Sequence, residues 1–372
     1  MLNVGKYKEK IVTTNDSELT NRHVCVIGES GSGKTVECQR LIASAIENGA
    51  TIVAFDMHGT LADDQIFWKY KPVFEKYERN VNAQMEGIPC NLFTPATYPD
   101  GTSENNINVI GSITEVIAEA INAGSTQRSE LRRALQYISE NGDYERYGFG
   151  AVDIALRNAR NRHAETVREK LFFLTAHNVF VSGDEFIHRN HINIFRLSRF
   201  DLKTQQLVAE IILAYLWRLA NAEEFKVHPI YIFVDECQNM PAGKNNALAQ
   251  MLSEGRKFGV NLILATQILA QGNTSALQQR ITQCGVKLYF KPASNKVSMT
   301  ARMIDPLRES DWCRLLKTLG IGEFIADGNF LVDGRERNEP LKVSAYEEKE
   351  ASESESEGDI KNHGRGSVVC YW

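Results

Sequence analysis

The sequence from Gly28 to Thr35 reads Gly28-Glu29-Ser30-Gly31-Ser32-Gly33-Lys34-Thr35, a complete G-x-x-x-x-G-K-T pattern. An apolar run, Val24–Ile27, precedes it, and apolar residues at helical spacing follow it from Leu41 to Ile46. A preceding strand and a following helix are the context in which this pattern forms a phosphate-binding loop. The stretch therefore predicts a site for a nucleoside triphosphate. The alternative is a Gly/Ser-rich turn that matches by accident.

Each part of the predicted loop has a chemical reason. The glycines allow backbone conformations and a close approach that a Cβ atom would forbid, so that successive N–H groups point at phosphate oxygens. The helix adds its positive N-terminal end. We expect all eight residues from Gly28 to Thr35 to line the nucleotide, with Lys34 reaching the β- and γ-phosphates and the Thr35 hydroxyl holding Mg²⁺. The predicted cofactors are ATP and Mg²⁺.

The composition of the 372 residues is that of a globular protein, with 43% hydrophobic and 24% charged residues. No apolar run approaches the roughly 20 residues that cross a bilayer, and the first residues lack the apolar region of a signal peptide. The seven cysteines include no C-x-x-C pair, which favours structural thiols in a reducing compartment. We expect a cytoplasmic protein without a membrane span.

The charge is distributed unevenly along the chain. The net charge is −5, but Glu347–Asp359 contains seven acidic residues and one lysine, so the rest of the chain is near neutral. A Glu/Ser-rich stretch cannot bury apolar surface, and we expect residues 347–372 to form an acidic, disordered tail. A near-neutral body can still carry a basic face, so the net charge neither supports nor excludes a nucleic-acid partner.

Short apolar runs alternate with helical patterns along the rest of the chain. Buried strands are predicted at Thr51–Phe55, Ile192–Leu197, Ile230–Val234 and Val260–Ala265. This alternation indicates an α/β fold with a mostly parallel central sheet. We expect an N-terminal arm over residues 1–20 and a core over residues 21–346. Within the core, apolar residues at helical spacing predict an inserted helical subdomain over residues 125–178.

Two acidic residues end one of the predicted strands. Asp235 and Glu236 follow the five apolar residues Ile230–Val234, as in a Walker B segment. In that interpretation Asp235 positions Mg²⁺ and Glu236 activates water for attack on the γ-phosphate. A carboxylate placed to polarise water favours a hydrolase over a kinase. The alternative is an ordinary strand that ends in two acids.

Two further polar residues flank the next predicted strand. Gln267 ends the strand that begins at Val260, where an amide could sense the γ-phosphate and relay its loss. Arg256 precedes this strand and could reach the nucleotide of a neighbouring subunit as an arginine finger. The alternatives are a strand-end glutamine capped by backbone and a solvated arginine at a helix end.

Taken together and in order, these motifs resemble those of the HerA/FtsK superfamily of ring-forming motor ATPases. The resemblance rests on the phosphate-binding loop, Asp56-Met57-His58-Gly59, Asp235-Glu236, Gly255-Arg256-Lys257-Phe258-Gly259 and Ala265-Thr266-Gln267. It covers roughly residues 20–345 and extends to the coupling and assembly ATPases of conjugative type IV secretion. It implies a RecA-like P-loop core, a homo-oligomer, usually a hexamer, with ATP at subunit interfaces, and translocation of DNA.

By this resemblance Lys34, Glu236, Arg256 and Gln267 are catalytic, and Thr35 and Asp235 hold the metal. About 20 residues precede the core where HerA proteins carry a β-barrel, and the transmembrane helices of many coupling proteins are not found in this sequence. We therefore expect a motor core without the module that would identify its pathway, which could be DNA transfer, DNA processing or defence against mobile elements.

The sequence leaves the translocated substrate open. Leu156–His163 carries three arginines and no acid, which fits either non-sequence-specific phosphate contacts or a solvated helix face. No recognition-helix or zinc pattern indicates sequence-specific binding. The leading hypothesis is a DNA translocase. The alternatives are an assembly ATPase that moves protein subunits in a secretion apparatus, or a structural ring in which ATP controls a partner nuclease.

Overall fold

The computed structural model describes residues 1–184, 186–240, 246–267 and 281–345. The predicted acidic tail, residues 347–372, lies outside the described residues. The described chain divides into two compact units. The first comprises residues 1–44, 263–267 and 284–345, and the second comprises residues 45–184, 186–240, 246–262 and 281–283.

The strands of the described residues follow one another along the whole chain. In order they are β1 (Asn3–Tyr7), β2 (Lys10–Thr14), β3 (Val24–Ile27), β4 (Thr51–Asp56), β5 (Glu78–Asn82), β6 (Ile88–Pro89), β7 (Phe180–Val181), β8 (Ile192–Arg196), β9 (Ile230–Val234), β10 (Val260–Thr266), β11 (Val286–Phe290), β12 (Glu323–Asp327), β13 (Phe330–Val332), β14 (Arg335–Arg337) and β15 (Leu341–Ser344).

The α-helices of the same residues lie between these strands. In order they are α1 (Lys34–Glu47), α2 (Lys71–Tyr77), α3 (Asn106–Ala120), α4 (Ser125–Asn141), α5 (Asp143–Tyr147), α6 (Gly150–Asn158), α7 (Arg162–Lys170), α8 (Phe172–Ala176), α9 (Leu202–Asn221), α10 (Ala247–Glu254), α11 (Val297–Ile304) and α12 (Glu309–Lys317). Short 3₁₀ turns span Cys237–Asn239, Gly255–Phe258, Ser294–Lys296 and Pro306–Arg308.

The sheet of the first unit is built around β3, the strand that leads into the phosphate-binding loop. β3 pairs in parallel with the last residues of β10 on one side and with β11 on the other. From β11 the order continues through antiparallel neighbours as β12, β15, β1, β2, β13 and β14. The predicted N-terminal arm thus contains two sheet strands, β1 and β2. All four residues of β3 are buried, as expected for a strand covered on both faces.

The sheet of the second unit is parallel. Its strands lie in the order β9, β4, β8 and β5, and every one of these neighbours is paired in parallel. All residues of β4 and β9 are buried. The 20-residue α9 buries an apolar stripe that includes Leu207, Ile211 and Leu216. The predicted α/β fold with a mostly parallel central sheet is confirmed, and strand pairs of the first unit add antiparallel neighbours that were not predicted.

The stretch predicted as a helical insert, residues 125–178, contains the five helices α4 to α8. Leu131, Leu135 and Ile138 of α4 are buried, as are Val152 and Leu156 of α6. The spacing of three and four residues between apolar positions places them on one face of each helix. These helices therefore form their own apolar contacts within the second unit. No helix of the described chain has both the length and the apolar character needed to cross a membrane.

One buried carboxyl group in α9 makes the second unit sensitive to pH. Glu210 is 5% exposed, and burial, with a smaller effect of the Glu119 charge, raises its pKa to about 8. The folded protein keeps this proton at pH values where the unfolded chain, with a pKa near 4.5, has released it. Folding therefore takes up a proton, and stability falls as the pH rises from about 4.5 to about 8.

We predict that Glu210→Gln removes this pH dependence. The amide stays neutral, so the variant should gain free energy of unfolding over the wild type by at most ~1.4 kcal/mol per pH unit as the pH rises through this range. Urea titrations at several pH values measure the difference. The exposed Glu169→Gln is the control and should follow the wild type; an equal response of both variants would contradict the assignment.

Candidate functional site

Two backbone hydrogen bonds hold the start of the phosphate-binding loop, where it follows β3. The Gly28 N–H donates to the Thr266 carbonyl at 3.2 Å, and the Glu29 N–H donates to the Lys291 carbonyl at 3.0 Å. A Cβ atom at Gly28 would lie 2.6 Å from the Cβ of Phe290. The start of the loop is therefore fixed to the ends of β10 and β11, and the packing leaves no space for a side chain at Gly28.

Two glycines give the loop its shape. Gly31 and Gly33 have φ angles of +76° and +100°, a region that favours glycine. A Cβ atom at Gly33 would lie 2.8 Å from the backbone nitrogen of Gly322, whereas one at Gly31 would meet nothing within 4 Å. The Gly322 N–H donates to the Ser32 carbonyl at 3.0 Å. The loop is thus supported from behind by the backbone at Gly322.

Lys34 begins α1 and folds back across the loop. Its Nζ donates to the Glu29 carbonyl at 2.8 Å, and the Ser32 hydroxyl donates to the same oxygen at 2.7 Å. Lys34 is only 8% exposed, whereas Thr35 beside it is exposed. The ammonium group and the loop glycines are therefore assembled in one place, with the Thr35 side chain facing solvent at the start of the helix.

A buried glutamate–arginine pair in α1 connects the helix to the residue that follows β15. Arg40 Nε lies 3.2 Å from Glu37 Oε2, and its guanidinium donates to the Ala345 carbonyl. The Ala345 N–H donates to the Gly322 carbonyl at 2.8 Å. Burial raises the pKa of Glu37 to about 8, while the neighbouring arginine opposes the shift. The contact that supports the loop, at Gly322, is thus itself anchored to the first helix.

The second unit carries the predicted Walker B acids. Asp235 follows β9 and is buried; its Oδ1 accepts the Glu236 N–H at 2.9 Å and its Oδ2 accepts the Thr60 hydroxyl at 3.2 Å. Burial, followed by the Glu236 charge, raises the pKa of Asp235. Glu236 has a left-handed backbone with φ +46°, and its Oε2 accepts a hydrogen bond from the Gln238 amide. The two carboxylates are thus fixed separately.

The sequence did not predict two side-chain pairings in this part of the site. Asp56, at the end of β4, is 1% exposed and pairs with Arg196 Nη1 at 2.6 Å. Asp56 and Arg196 are register partners of adjacent parallel strands. Their positions at the ends of two predicted strands could have indicated this pairing. Thr60, which donates to Asp235, lies just after the Asp56–Gly59 motif. Nothing in the sequence pattern indicated that its hydroxyl would bind this acid.

The other predicted site residues belong to different units. Gln267 follows Thr266, whose carbonyl accepts the Gly28 N–H, and it is exposed in the first unit. Arg256 is exposed in the 3₁₀ turn Gly255–Phe258 of the second unit. The catalytic roles of both stay predictions. His58 is exposed, and the described residues contain no cluster of His, Cys, Asp or Glu that could hold a metal by itself.

Several other arginines differ in their surroundings. Arg196 forms the pair described above, and Arg302 Nε lies 2.7 Å from Glu309. Arg199 Nη1 lies 3.4 Å from the Met85 sulfur. Arg280 lies outside the described residues.

We predict that the two loop glycines differ in their tolerance of alanine. Gly31→Ala introduces only the strain of a positive φ angle, about 1 kcal/mol. Gly33→Ala adds a collision with the Gly322 backbone and should lower the midpoint of thermal unfolding further. Calorimetry of both variants measures the difference. Equal losses would mean that the contact with Gly322 does not constrain the loop.

The chain is similar in sequence to known DNA-repair helicases. The chain is 26% identical over 333 residues to the DNA double-strand break repair helicase HerA of Sulfolobus acidocaldarius, covering 83% of this chain and 63% of that protein. The corresponding protein of Sulfurisphaera tokodaii is 23% identical over 339 residues, with the same shares covered. This chain thus spans less than two thirds of the length of these relatives.

Two solved structures share this fold. VirB4 of Thermoanaerobacter pseudethanolicus has a TM-score of 0.67 at 13% identity, over 93% of this chain and 96% of its own. The bacterial conjugative coupling protein TrwBdeltaN70 has a TM-score of 0.58 at 15% identity, over 92% of this chain and 90% of its own. These similarities confirm the fold that the motifs predicted.

A family model decides the assignment. The model of the helicase HerA central domain matches residues 2–216, which is more than half of the chain and includes the phosphate-binding loop. The predicted membership of the HerA/FtsK superfamily is confirmed: the chain belongs to the HerA helicase central-domain family.

Proposed function

We propose that this chain is an ATP-hydrolysing motor of the HerA type that translocates DNA. The observation that carries the proposal is the loop itself, with Lys34 held across it by the Glu29 carbonyl at 2.8 Å. A neutral carbonyl is a weaker acceptor for an ammonium group than a charged phosphate oxygen. The lysine can therefore exchange this contact for the β- and γ-phosphates when a nucleotide enters.

The nucleotide contacts follow from the loop geometry. The N–H groups between Gly28 and Thr35 and the N-terminal end of α1 bind the phosphates. The exposed Thr35 hydroxyl and the Asp235 carboxylate offer only oxygen atoms, which fits the ligand preference of Mg²⁺. When bound, Mg²⁺ neutralises charge on the phosphate oxygens. A nearby cation also favours the ionised form of Asp235 and opposes the effect of burial on its pKa.

Glu236 is the proposed general base. Its left-handed backbone conformation turns the chain sharply after β9, and strained conformations of this kind persist where the surrounding structure holds them. The Gln238 amide orients its carboxylate. From this position Glu236 takes a proton from the attacking water, and the water oxygen forms the new bond to the γ-phosphorus as ADP leaves.

The remaining roles require an assembly of several copies. We assign Arg256 to the nucleotide of a neighbouring subunit because it is exposed and lies in the 3₁₀ turn Gly255–Phe258. We assign Gln267 to sensing of the γ-phosphate because it follows the strand that is bonded to Gly28. The relatives from Sulfolobus acidocaldarius and Sulfurisphaera tokodaii are named as DNA-repair helicases. These names support DNA as the substrate. As the active form we propose a homo-oligomer, a hexamer, in which Arg256 of one subunit meets the nucleotide of the next.

The first test separates nucleotide binding from hydrolysis. Lys34→Ala should lose binding of a fluorescent ATP analogue, because the loop loses its only lysine. Glu236→Gln should bind the analogue normally but hydrolyse ATP at least ~100-fold more slowly, as expected when a general base is removed. The exposed Glu254→Gln is the control and should keep the wild-type rate.

The same assay tests the substrate. Turnover by the wild type should rise when double-stranded DNA is added, and turnover by Glu236→Gln should not. Hydrolysis that ignores DNA would instead favour a motor for protein subunits. Activity that appears only with a co-purified nuclease would favour an ATP-controlled ring. Wild-type turnover by Glu236→Gln would remove the proposed base.

A second test asks whether Arg256 acts between subunits. Arg256→Ala alone should lose hydrolysis by about 1,000-fold or more, the effect of removing an arginine finger. Mixing it with Glu236→Gln subunits should restore part of the activity, because some interfaces then combine an intact base with an intact arginine. Arg256→Ala mixed with the double variant Glu236→Gln/Arg256→Ala is the control and should stay inactive, because no interface then contains an intact arginine. An absence of recovery in assembled mixtures would exclude a role for Arg256 in trans.

A further inference from the structure

The helices of residues 125–176 enclose a cleft whose lining includes neither the loop nor the Walker B acids. The cleft has a volume of about 420 Å³ and is lined by Glu130, Arg133, Ala134, Tyr137, Ala155, Asn158, Ala159 and Asn161. These residues belong to α4, to the end of α6 and to the turn that leads into α7. The turn coincides with the arginine-rich stretch Leu156–His163. A volume of this size is typical of pockets that bind small molecules, and it can hold part of a larger ligand.

The carboxylate among the lining residues is neutralised within the protein. Glu130 is 9% exposed; its Oε1 accepts a hydrogen bond from Arg133 Nη1 and its Oε2 accepts one from Asn161 Nδ2, both at 3.0 Å. Asn161 also caps α7, because its Oδ1 accepts the N–H groups of His163 and Ala164 at 3.0 Å. The cleft therefore has a rigid floor and presents little negative charge.

The edge of the cleft is basic. Arg133 remains 73% exposed although it contacts Glu130. Arg160 and Arg162 flank the lining residue Asn161 and are exposed, and within the described part of the chain neither is paired with a carboxylate. Arg160 also has a left-handed backbone with φ +50°, so the turn is tightly bent at this arginine. Arg157 differs from them because it pairs with Asp153 at 2.6 Å.

One aromatic ring stands at the wall of the cleft. Tyr137 is 50% exposed and lies one helical turn after Arg133 on α4, so both residues face the same side. A half-exposed ring beside positive charge provides a stacking surface for an unpaired base, while guanidinium groups bind the phosphates that flank it. In a duplex the bases are stacked on one another and their faces are not accessible to such a ring.

We propose that this cleft binds a segment of single-stranded nucleic acid, with a base on Tyr137 and the backbone phosphates on Arg133, Arg160 and Arg162. An acidic peptide could also pair with the arginines. Its carboxylates would make no stacking contact with the ring of Tyr137, whereas a base would, and the amide of Asn158 would have no partner from it. The choice of nucleic acid as the partner rests on the proposed function. The binding surface itself contains none of the ATPase motifs.

The experiment measures fluorescence anisotropy of a labelled 20-nucleotide oligothymidylate with the full chain and without ATP. Replacing Arg160 and Arg162 together by Gln should reduce the slope of log K against log salt by about 1.4, since each phosphate contact on a single strand contributes about 0.7. Tyr137→Leu should weaken binding about tenfold or more, and Tyr137→Phe should retain it.

Matched controls come from α5 of the same helical region. Tyr147 is 49% exposed and does not line the cleft, so Tyr147→Leu should bind like the wild type, and so should Arg146→Gln. Thermal unfolding of all variants verifies that they are folded. Equal effects of the Tyr137 and Tyr147 variants would overturn the proposal, as would tighter binding of a blunt duplex with the same sensitivity to Tyr137. Competition by polyglutamate as strong as by unlabelled oligothymidylate would assign the cleft to an acidic protein.

Oligonucleotide binding and ATP hydrolysis are measured separately, so failure of this inference and failure of the proposed function can be distinguished. Lys34→Ala should bind the oligonucleotide as the wild type does, because the loop is not part of the cleft. If hydrolysis fails while this binding and its dependence on Tyr137 persist, only the motor function is contradicted. If hydrolysis is intact and the cleft variants bind normally, only the present inference is contradicted.

Discussion

The candidate site depends on a backbone contact that leaves no space for a side chain. Gly33 lies so close to Gly322 that a Cβ atom would come within 2.8 Å of its nitrogen, and the Gly322 N–H holds the Ser32 carbonyl. Ala345 holds Gly322 in turn, and Arg40 of the first helix holds Ala345. Residues near both ends of the described chain therefore fix the loop that the motif defines, because each hydrogen bond limits the position of the next.

The two buried acids that end parallel strands have different partners. Asp56 is neutralised by Arg196, whereas Asp235 is bound by a hydroxyl and a backbone N–H and has no ion pair among the described residues. A buried carboxylate without a cationic partner is costly to ionise. This cost makes Asp235 suited to receive a cation, whereas Asp56, already paired, is suited to hold two strand ends together. The two acids thus serve different purposes although both end a buried parallel strand.

The family assignment and the geometry support each other at different levels. The motifs predicted the HerA/FtsK superfamily, and the family model and the solved folds agree with that prediction. The roles of Glu236, Arg256 and Gln267 are proposals that follow from position. Arg256 and Gln267 are exposed in different units, so a single chain does not by itself assign a function to either. The sequence did not show what the arginine-rich stretch lies next to. In the structure, its turn before α7 lines the same cleft as Tyr137.

The sequence by itself determined the α/β class, the loop from Gly28 to Thr35 and the acids after β9, because these depend on local spacing and on contiguous apolar runs. It also predicted the helices of residues 125–178 from their periodicity. The tertiary structure alone decided that β1 and β2 join the sheet, that Gly322 supports the loop and that Thr60 binds Asp235. The Ser32–Gly322 and Thr60–Asp235 contacts join residues 290 and 175 positions apart. Pairing over such distances depends on how the strands are arranged, which local sequence patterns do not encode.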